Sequence, residues 1–205
     1  MTSSTDLMKK EGQITSVSDT KGIELLICNP DWFDPKKTYT ISNAPERTAS
    51  LEFSGADLNF MARVLYAESS GSGQLPDKAE RDKEKEAIMN VNHFRLNRKA
   101  YPSWNYIATT FRRVCEAPRQ FESVRPDNKK LVQSAEGACE KLIKTECADL
   151  NEAIKAVQNF MMNGPNQAYV YDNFRGYLAN GKGTLIGRSR FWLSERGGEL
   201  FDKTP

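Results

Sequence analysis

Among the 27 acidic residues of this 205-residue chain, Glu68 occupies a position suited to acid–base chemistry. It closes the run Leu58-Asn59-Phe60-Met61-Ala62-Arg63-Val64-Leu65-Tyr66-Ala67-Glu68. Leu58, Met61, Ala62 and Leu65 recur there at the spacing of one helix face. The Ser-Ser-Gly-Ser-Gly run from Ser69 ends the helix, with Gly as the C-terminal cap and the serines competing for backbone groups. Glu68 thus falls in the last turn, where the negative end of the helix dipole disfavours a carboxylate. Apolar neighbours such as Tyr66 would penalise the ionised form again, so a raised pKa is expected. A carboxylic acid still protonated near neutral pH is what a general acid requires. The plain alternative is a solvated, idle carboxylate at a helix end.

Other chemistries have less material. His93 is the single histidine, so any Ser-His-Asp or Cys-His mechanism would have to run through it. It lies in a helical stretch beside Phe94, where packing or surface exposure is the simpler role. The cysteines are Cys28, Cys115, Cys139 and Cys147, with no CxxC pair, which argues against a zinc site. No metal and no cofactor is expected. An even cysteine count permits disulfides, with Cys139 and Cys147 able to approach across a helix-to-helix turn; a reduced chain is equally permitted.

The elements that must position Glu68 follow from composition and pattern. A charged fraction of 27% and a mean hydropathy of −0.63 fit a soluble globular chain long enough for one good core. No stretch approaches the roughly 18 apolar residues of a membrane span, and the N-terminus lacks the layout of a secretory signal. The net charge of +2, with basic residues dispersed among acids, points away from nucleic acid and is compatible with an anionic polymer.

Residues 1–50 read as a small β-rich segment, with strands near 13–17, 22–28 and 37–41. Trp32 and Phe33 there suit packing, or contact with a ligand. Ser54 with Asp57 resembles a cap for the central helix. Residues 71–77 read as a flexible loop beside Glu68. A second helix spans about 78–99, its 78–86 charge cluster read as a solvated face. A short helix is expected over 104–112, irregular chain over 115–126, and a helix over 127–145. Asp149 and Glu152 read as an acidic capping box for a helix reaching about residue 162. Residues 168–192, rich in Tyr, Asn, Gly and Phe, read as loops and strands lining a cleft or covering the surface.

Several of these segments resemble one family. Ala62-Arg63-Val64-Leu65-Tyr66-Ala67-Glu68 resembles the "AR-x-hydrophobic-YAE" opening of the spore-cortex-lytic cell-wall hydrolases of the SleB/CwlJ type. Ile88-Met89-Asn90-Val91-Asn92-His93-Phe94-Arg95 is similar to the family's second helix, with Phe94 in place of its usual Asn. Pro118-Arg119-Gln120-Phe121-Glu122-Ser123 resembles its "P-x-QFS" element with Glu122 intruding. Tyr169-Val170-Tyr171-Asp172-Asn173 resembles "YFYN", and Ile186-Gly187-Arg188-Ser189-Arg190-Phe191-Trp192 resembles "IGNHVFY" without its His. The segments follow in order along most of residues 55–193, and residues 1–50 lie outside.

The resemblance implies a mainly α (α+β) chain: a lysozyme-like helical domain over 51–205 behind the small N-terminal β element. It implies cleavage of the β-1,4 bond between MurNAc and GlcNAc in peptidoglycan, with Glu68 as catalytic acid. Gln120, Ser123 and Asn173 would hydrogen-bond sugar groups, and Phe121, Tyr169 and Tyr171 would stack on sugar faces. A glycosidase using two carboxylates needs the second about 5–9.5 Å from the first. Asp77, Asp82 and Glu86 are the nearest in sequence, in a loop and on a charged helical face, so a lytic transglycosylase using Glu68 alone is preferred over a hydrolysing muramidase. Without a visible export signal, delivery as a phage lysin or as an injected antibacterial effector is expected, the latter with an inhibitor (immunity) protein in its producer. The rival from another class is a non-catalytic glycan-binding or structural module.

Overall fold

The computed structural model describes residues 15–18, 24–41, 51–98, 101, 106–176 and 183–194. Its centre is α1 (Gly55–Glu68), which starts as the sequence suggests: Ser54 is extended and its hydroxyl accepts the Asp57 N–H at 3.1 Å. Leu58, Met61, Ala62, Val64 and Leu65 are fully buried. The helix ends without a glycine cap. Ser69 leaves in an extended conformation, and both its N–H and its hydroxyl donate to Leu65 O, at 2.9 and 2.7 Å. The hydroxyl does locally what a left-handed glycine would otherwise do.

Helix α2 (Lys78–Arg95) is capped by Asp77, whose carboxylate accepts the Ala79 and Glu80 N–H groups. It stops at Arg95, earlier than its pattern suggests, and Asn97 turns the chain at a left-handed φ of 54°. The expected solvated face holds for Lys78, Asp82, Lys83 and Glu86, which are exposed, but Arg81, Glu84 and Lys85 are buried. They lie on the side that continues into Ile88 and Asn92, the helix's inward stripe. His93 is buried between the rings of Phe94 and Phe160, with centroids at 5.7 and 5.4 Å.

Of the helix expected over 104–112, residues 104–105 lie outside the described residues. The helix observed there is α3 (Phe111–Cys115), opened by Thr110. The helix expected over 127–145 is broken into α4 (Lys129–Gln133) and a 3-10 turn (Cys139–Lys141), because Gly137 takes a φ of 78° between them. Next, α5 (Lys144–Asn163) begins before Asp149 and Glu152, which therefore cap nothing. The first turn uses Glu146, whose side chain accepts the Ile143 N–H at 3.3 Å.

Strands β1 (Thr15–Ser18) and β2 (Glu24–Ile27) form an antiparallel hairpin. Strand β3 (Thr38–Thr40) pairs antiparallel with β4 (Glu52–Ser54), which runs directly into α1. Cys28, Phe33 and Ile41 are buried in the same core as Phe53 and the helices, so Phe33 packs, and Trp32 lies half-buried against that core. A three-stranded antiparallel sheet closes the described chain, ordered β5 (Asn173–Gly176), β7 (Ser189–Trp192), β6 (Thr184–Ile186). The architecture is α+β: five α-helices and small antiparallel sheets among the described residues. None of the described helices is long and apolar enough to cross a membrane.

Cys147 pairs with Cys28 across 119 residues, with Cα atoms 5.7 Å apart; Cys139 is a buried thiol, as is Cys115. The bridge joins the N-terminal segment to the first turns of α5. Replacing both cysteines by serine should lower unfolding free energy by about 2–4 kcal/mol through the long loop released. Denaturant melts of wild type with and without reductant, beside the double variant, check this.

Candidate active site

Glu68 is the last residue of α1 and is half-buried. Its Oε1 accepts the Ser123 N–H at 3.2 Å, and no described residue hydrogen-bonds its Oε2. Ser123 is buried in the irregular chain that follows α3. No basic residue lies in the last turn of α1. Lys130 of α4 supplies the missing cation, donating to Tyr66 O at 3.4 Å and standing 5.2 Å from the centre of the Tyr66 ring. Burial lowers the Lys130 pKa, opposed by Asp149, Glu146 and Glu68. Burial, with Glu146 and Asp149 nearby, pushes the Tyr66 phenol up to about 12.

The segment carrying Ser123 is held from behind. Phe121 is 6% exposed, its ring flanked by Phe174 at 5.8 Å and the Arg95 guanidinium at 5.6 Å. That places Phe121 as packing beneath Ser123, with little ring surface to offer a sugar. Gln120 is half-buried and its Oε1 accepts the Tyr101 hydroxyl at 3.3 Å. Arg95, buried at the end of α2, donates to Asp172 O, Tyr101 Oη and Asn173 Oδ1 at 2.9, 3.1 and 3.3 Å. It thereby joins the Ser123 segment to β5. Asn173 has both ends of its amide engaged, since its Nδ2 donates to Asp172 Oδ1 at 2.7 Å. Tyr169 and Tyr171 are half-buried and stack at 6.5 Å, continuing a row through Phe191 and Phe174 to Phe121. Of the residues the sequence singles out, the fold brings Glu68 and Ser123 into direct contact. It gathers Phe121, Gln120 and Asn173 around Arg95 and Tyr101, and sets the two tyrosines at the other end of the aromatic row.

The loop after Glu68, expected to be flexible, is tied down. Ser70 N–H donates to Glu84 at 2.8 Å and Ser70 O accepts from Lys85 at 3.3 Å. Asp149 accepts the Ser72 N–H at 2.9 Å, and a Cβ on Gly71 would lie 2.4 Å from its other oxygen. A side chain at position 71 would push the Asp149 carboxylate away from the Ser72 N–H. Arg81 forks onto Glu152 at 2.9 and 2.6 Å and also donates to Leu75 O and Pro76 O. These partners were missed in sequence because a charge run reads as solvated. The signal available was Arg81, Glu84 and Lys85 in helical step with Ile88. The carboxylates near Glu68 in sequence have other engagements: Asp77 caps α2, Asp82 pairs with Lys78 at 2.6 Å, and Glu86 accepts from Asn166 at 3.0 Å.

A cleft of about 290 Å³ between α2 and α5, lined by Lys83, Met89, Lys155, Asn159 and Phe160 among others, does not include Glu68. No group of three or more His, Cys, Asp or Glu among the described residues is placed to hold a metal ion. Fold and site together define an α+β protein with a half-buried carboxylate held at a helix end. Comparison with known proteins adds no relative: no family model matches, and neither the curated proteins nor the solved structures yield a match.

Asp172 anchors the support behind the site. Burial works to raise its carboxyl, but Ser194 through side chain and backbone, Arg98 and Asn173 outweigh it, so its pKa lies below the ordinary 3.8. A carboxyl lowered on folding contributes stability above its unfolded pKa and loses it as pH falls towards the folded value. Asp172→Asn should therefore destabilise the chain by about 3 kcal/mol near neutrality. The gap to wild type should narrow on acidification below 3.8, which thermal melts across pH will measure.

Proposed function

We propose that this chain cleaves the β-1,4 glycosidic bond of peptidoglycan strands, with Glu68 as its single general acid and base. The observation that carries the reading is the half-buried Glu68 carboxyl at the end of α1, one oxygen held by the Ser123 N–H and the other without a described partner. Support comes also from the ordered sequence resemblance, two of whose segments, those of Glu68 and Ser123, meet here. A lysozyme-like arrangement of α1, α2 and α5 beside the three-stranded sheet belongs to the same proposal. Glu68 protonates the leaving glycosidic oxygen as the bond to the MurNAc anomeric carbon breaks. The resulting carboxylate then takes the proton of the muramyl 6-hydroxyl as that oxygen closes on the same carbon, giving a 1,6-anhydro end. Engagement of Asp77, Asp82 and Glu86 elsewhere favours this route over hydrolysis by two carboxylates.

The substrate lies outside the cytoplasm, in the periplasm or wall of a target cell. The Cys28–Cys147 bridge is in keeping with an oxidising compartment. Delivery as a phage lysin or an injected effector is part of the proposal, and an effector's producer would need an inhibitor protein that covers the Glu68 face.

Glu68→Gln should lower turnover of purified sacculi by about 10²–10⁴-fold while leaving the melting temperature near that of wild type. Mass spectrometry of the wild-type digest should find anhydro ends; hydrated ends, heavier by one water, would assign a hydrolysing muramidase. A wild type that binds sacculi without releasing fragments would make the chain a glycan-binding module.

A further inference from the structure

We infer that Glu84 and Lys85 are positioning residues for Glu68: neighbours on α2, they hold the backbone of Ser70 at both its N–H and its C=O. The inference rests on the reading of Glu68 as the acid. Glu84 is 0% and Lys85 1% exposed, and Ser70 is two residues beyond Glu68. An ionised group taken out of water is strongly unfavourable unless paired and hydrogen-bonded. Each finds its partners on the segments that must be aligned around the end of α1.

Glu84 Oε2 takes the Ser70 N–H at 2.8 Å, and its Oε1 takes the Arg188 N–H at 3.2 Å and the Ser189 hydroxyl at 2.7 Å. One carboxylate thus joins α2, the chain leaving Glu68, and the turn between β6 and β7. That turn closes tightly over it: Gly187 has a φ of 58°, and a Cβ there would lie 2.8 Å from Glu84 Cβ. Lys85 donates to Ser70 O at 3.3 Å and to Glu152 at 3.4 Å, linking the same residue to α5. Well-packed apolar residues could fill this volume at equal or greater stability, but they could not hold a backbone N–H and C=O in one register. The pair therefore fixes the chain just beyond the Ser69 cap of α1, and with it how the Glu68 carboxyl is presented.

The test uses the full chain, with soluble uncrosslinked glycan strands as substrate. Glu84→Gln keeps the shape but puts an NH2 group against either Ser70 N–H or the Arg188–Ser189 pair. Lys85→Met keeps the stem and removes the donor to Ser70 O. Asp82→Asn, on the exposed side of α2, is the control. Displacement of a reacting group by about 1 Å is enough to lower rate about 10²-fold. Accordingly kcat should fall about 10–100-fold in Glu84→Gln and about 3–10-fold in Lys85→Met, with KM within about twofold and no change in the control. The 13C resonance of Glu68 Cδ should move in both variants and not in the control.

A purely structural pair would lower the melting temperature and leave kcat per folded molecule intact. Native kcat with an unmoved Glu68 resonance in both variants overturns the inference. If Glu84→Gln does not fold, Lys85→Met is decisive by itself. A wild type that cleaves no glycan, with the Glu68 resonance still displaced in the variants, overturns the glycosidase reading and leaves the positioning role supported.

Discussion

The structure depends on taking charge out of water where α2 meets α5 and giving each buried ionic side chain there a partner. Arg81, Glu84 and Lys85 of α2 are buried, and with Glu152 of α5 they form a connected set that includes the backbone of residues 70, 75 and 76. Removing an ion from water carries an effective penalty of several kcal/mol, about enough to unfold a marginal domain if left unmatched. The penalty makes the set all-or-none. Helices α2 and α5 and the chain after Glu68 must adopt one mutual arrangement, because any slip leaves a buried charge without its partner.

The same logic operates along α1 on a smaller scale. Its apolar side packs chiefly against α5, and each polar residue recruits a distant segment. Asp57 accepts the Phe111 and Arg112 N–H groups at 2.9 and 2.8 Å, opening α3. Burial raises its carboxyl against the lowering by those donors. Asn59 holds the backbone of Phe33 from both sides at 2.9 Å, and Arg63 donates to Leu131 O at 2.6 Å. Glu68 follows the pattern with Ser123, and no described residue hydrogen-bonds its other oxygen.

Behind the Ser123 segment, Arg95 performs the joining role. Its guanidinium lies 4.9 Å from the centre of the Tyr101 ring and 5.6 Å from that of Phe121 while donating to the start of β5. Planar, multiply donating and always charged, arginine can combine ring contact and hydrogen bonding in one place where lysine cannot. The sheet therefore reaches the site through Arg95 and the aromatic row, and the aromatic residues between them serve first as structure.

What the sequence by itself determined is what acts within one or two turns of chain. The start of α1 at Ser54, the placement of Glu68 in its last turn and the Asn163–Pro165 break after α5 all follow from caps, periodicity and backbone restriction, interactions that span three or four residues. Tertiary structure alone decided what the buried charges on α2 would pair with, that Asp149 and Glu152 would tether a loop and cap nothing, that Cys147 would find Cys28, and that Ser123 would meet Glu68. The Ser123–Glu68 and Cys28–Cys147 pairings span 55 and 119 residues. No local pattern encodes a partner that far away, since the choice between a solvated and a buried charge depends on whether the rest of the chain brings a matching group to it.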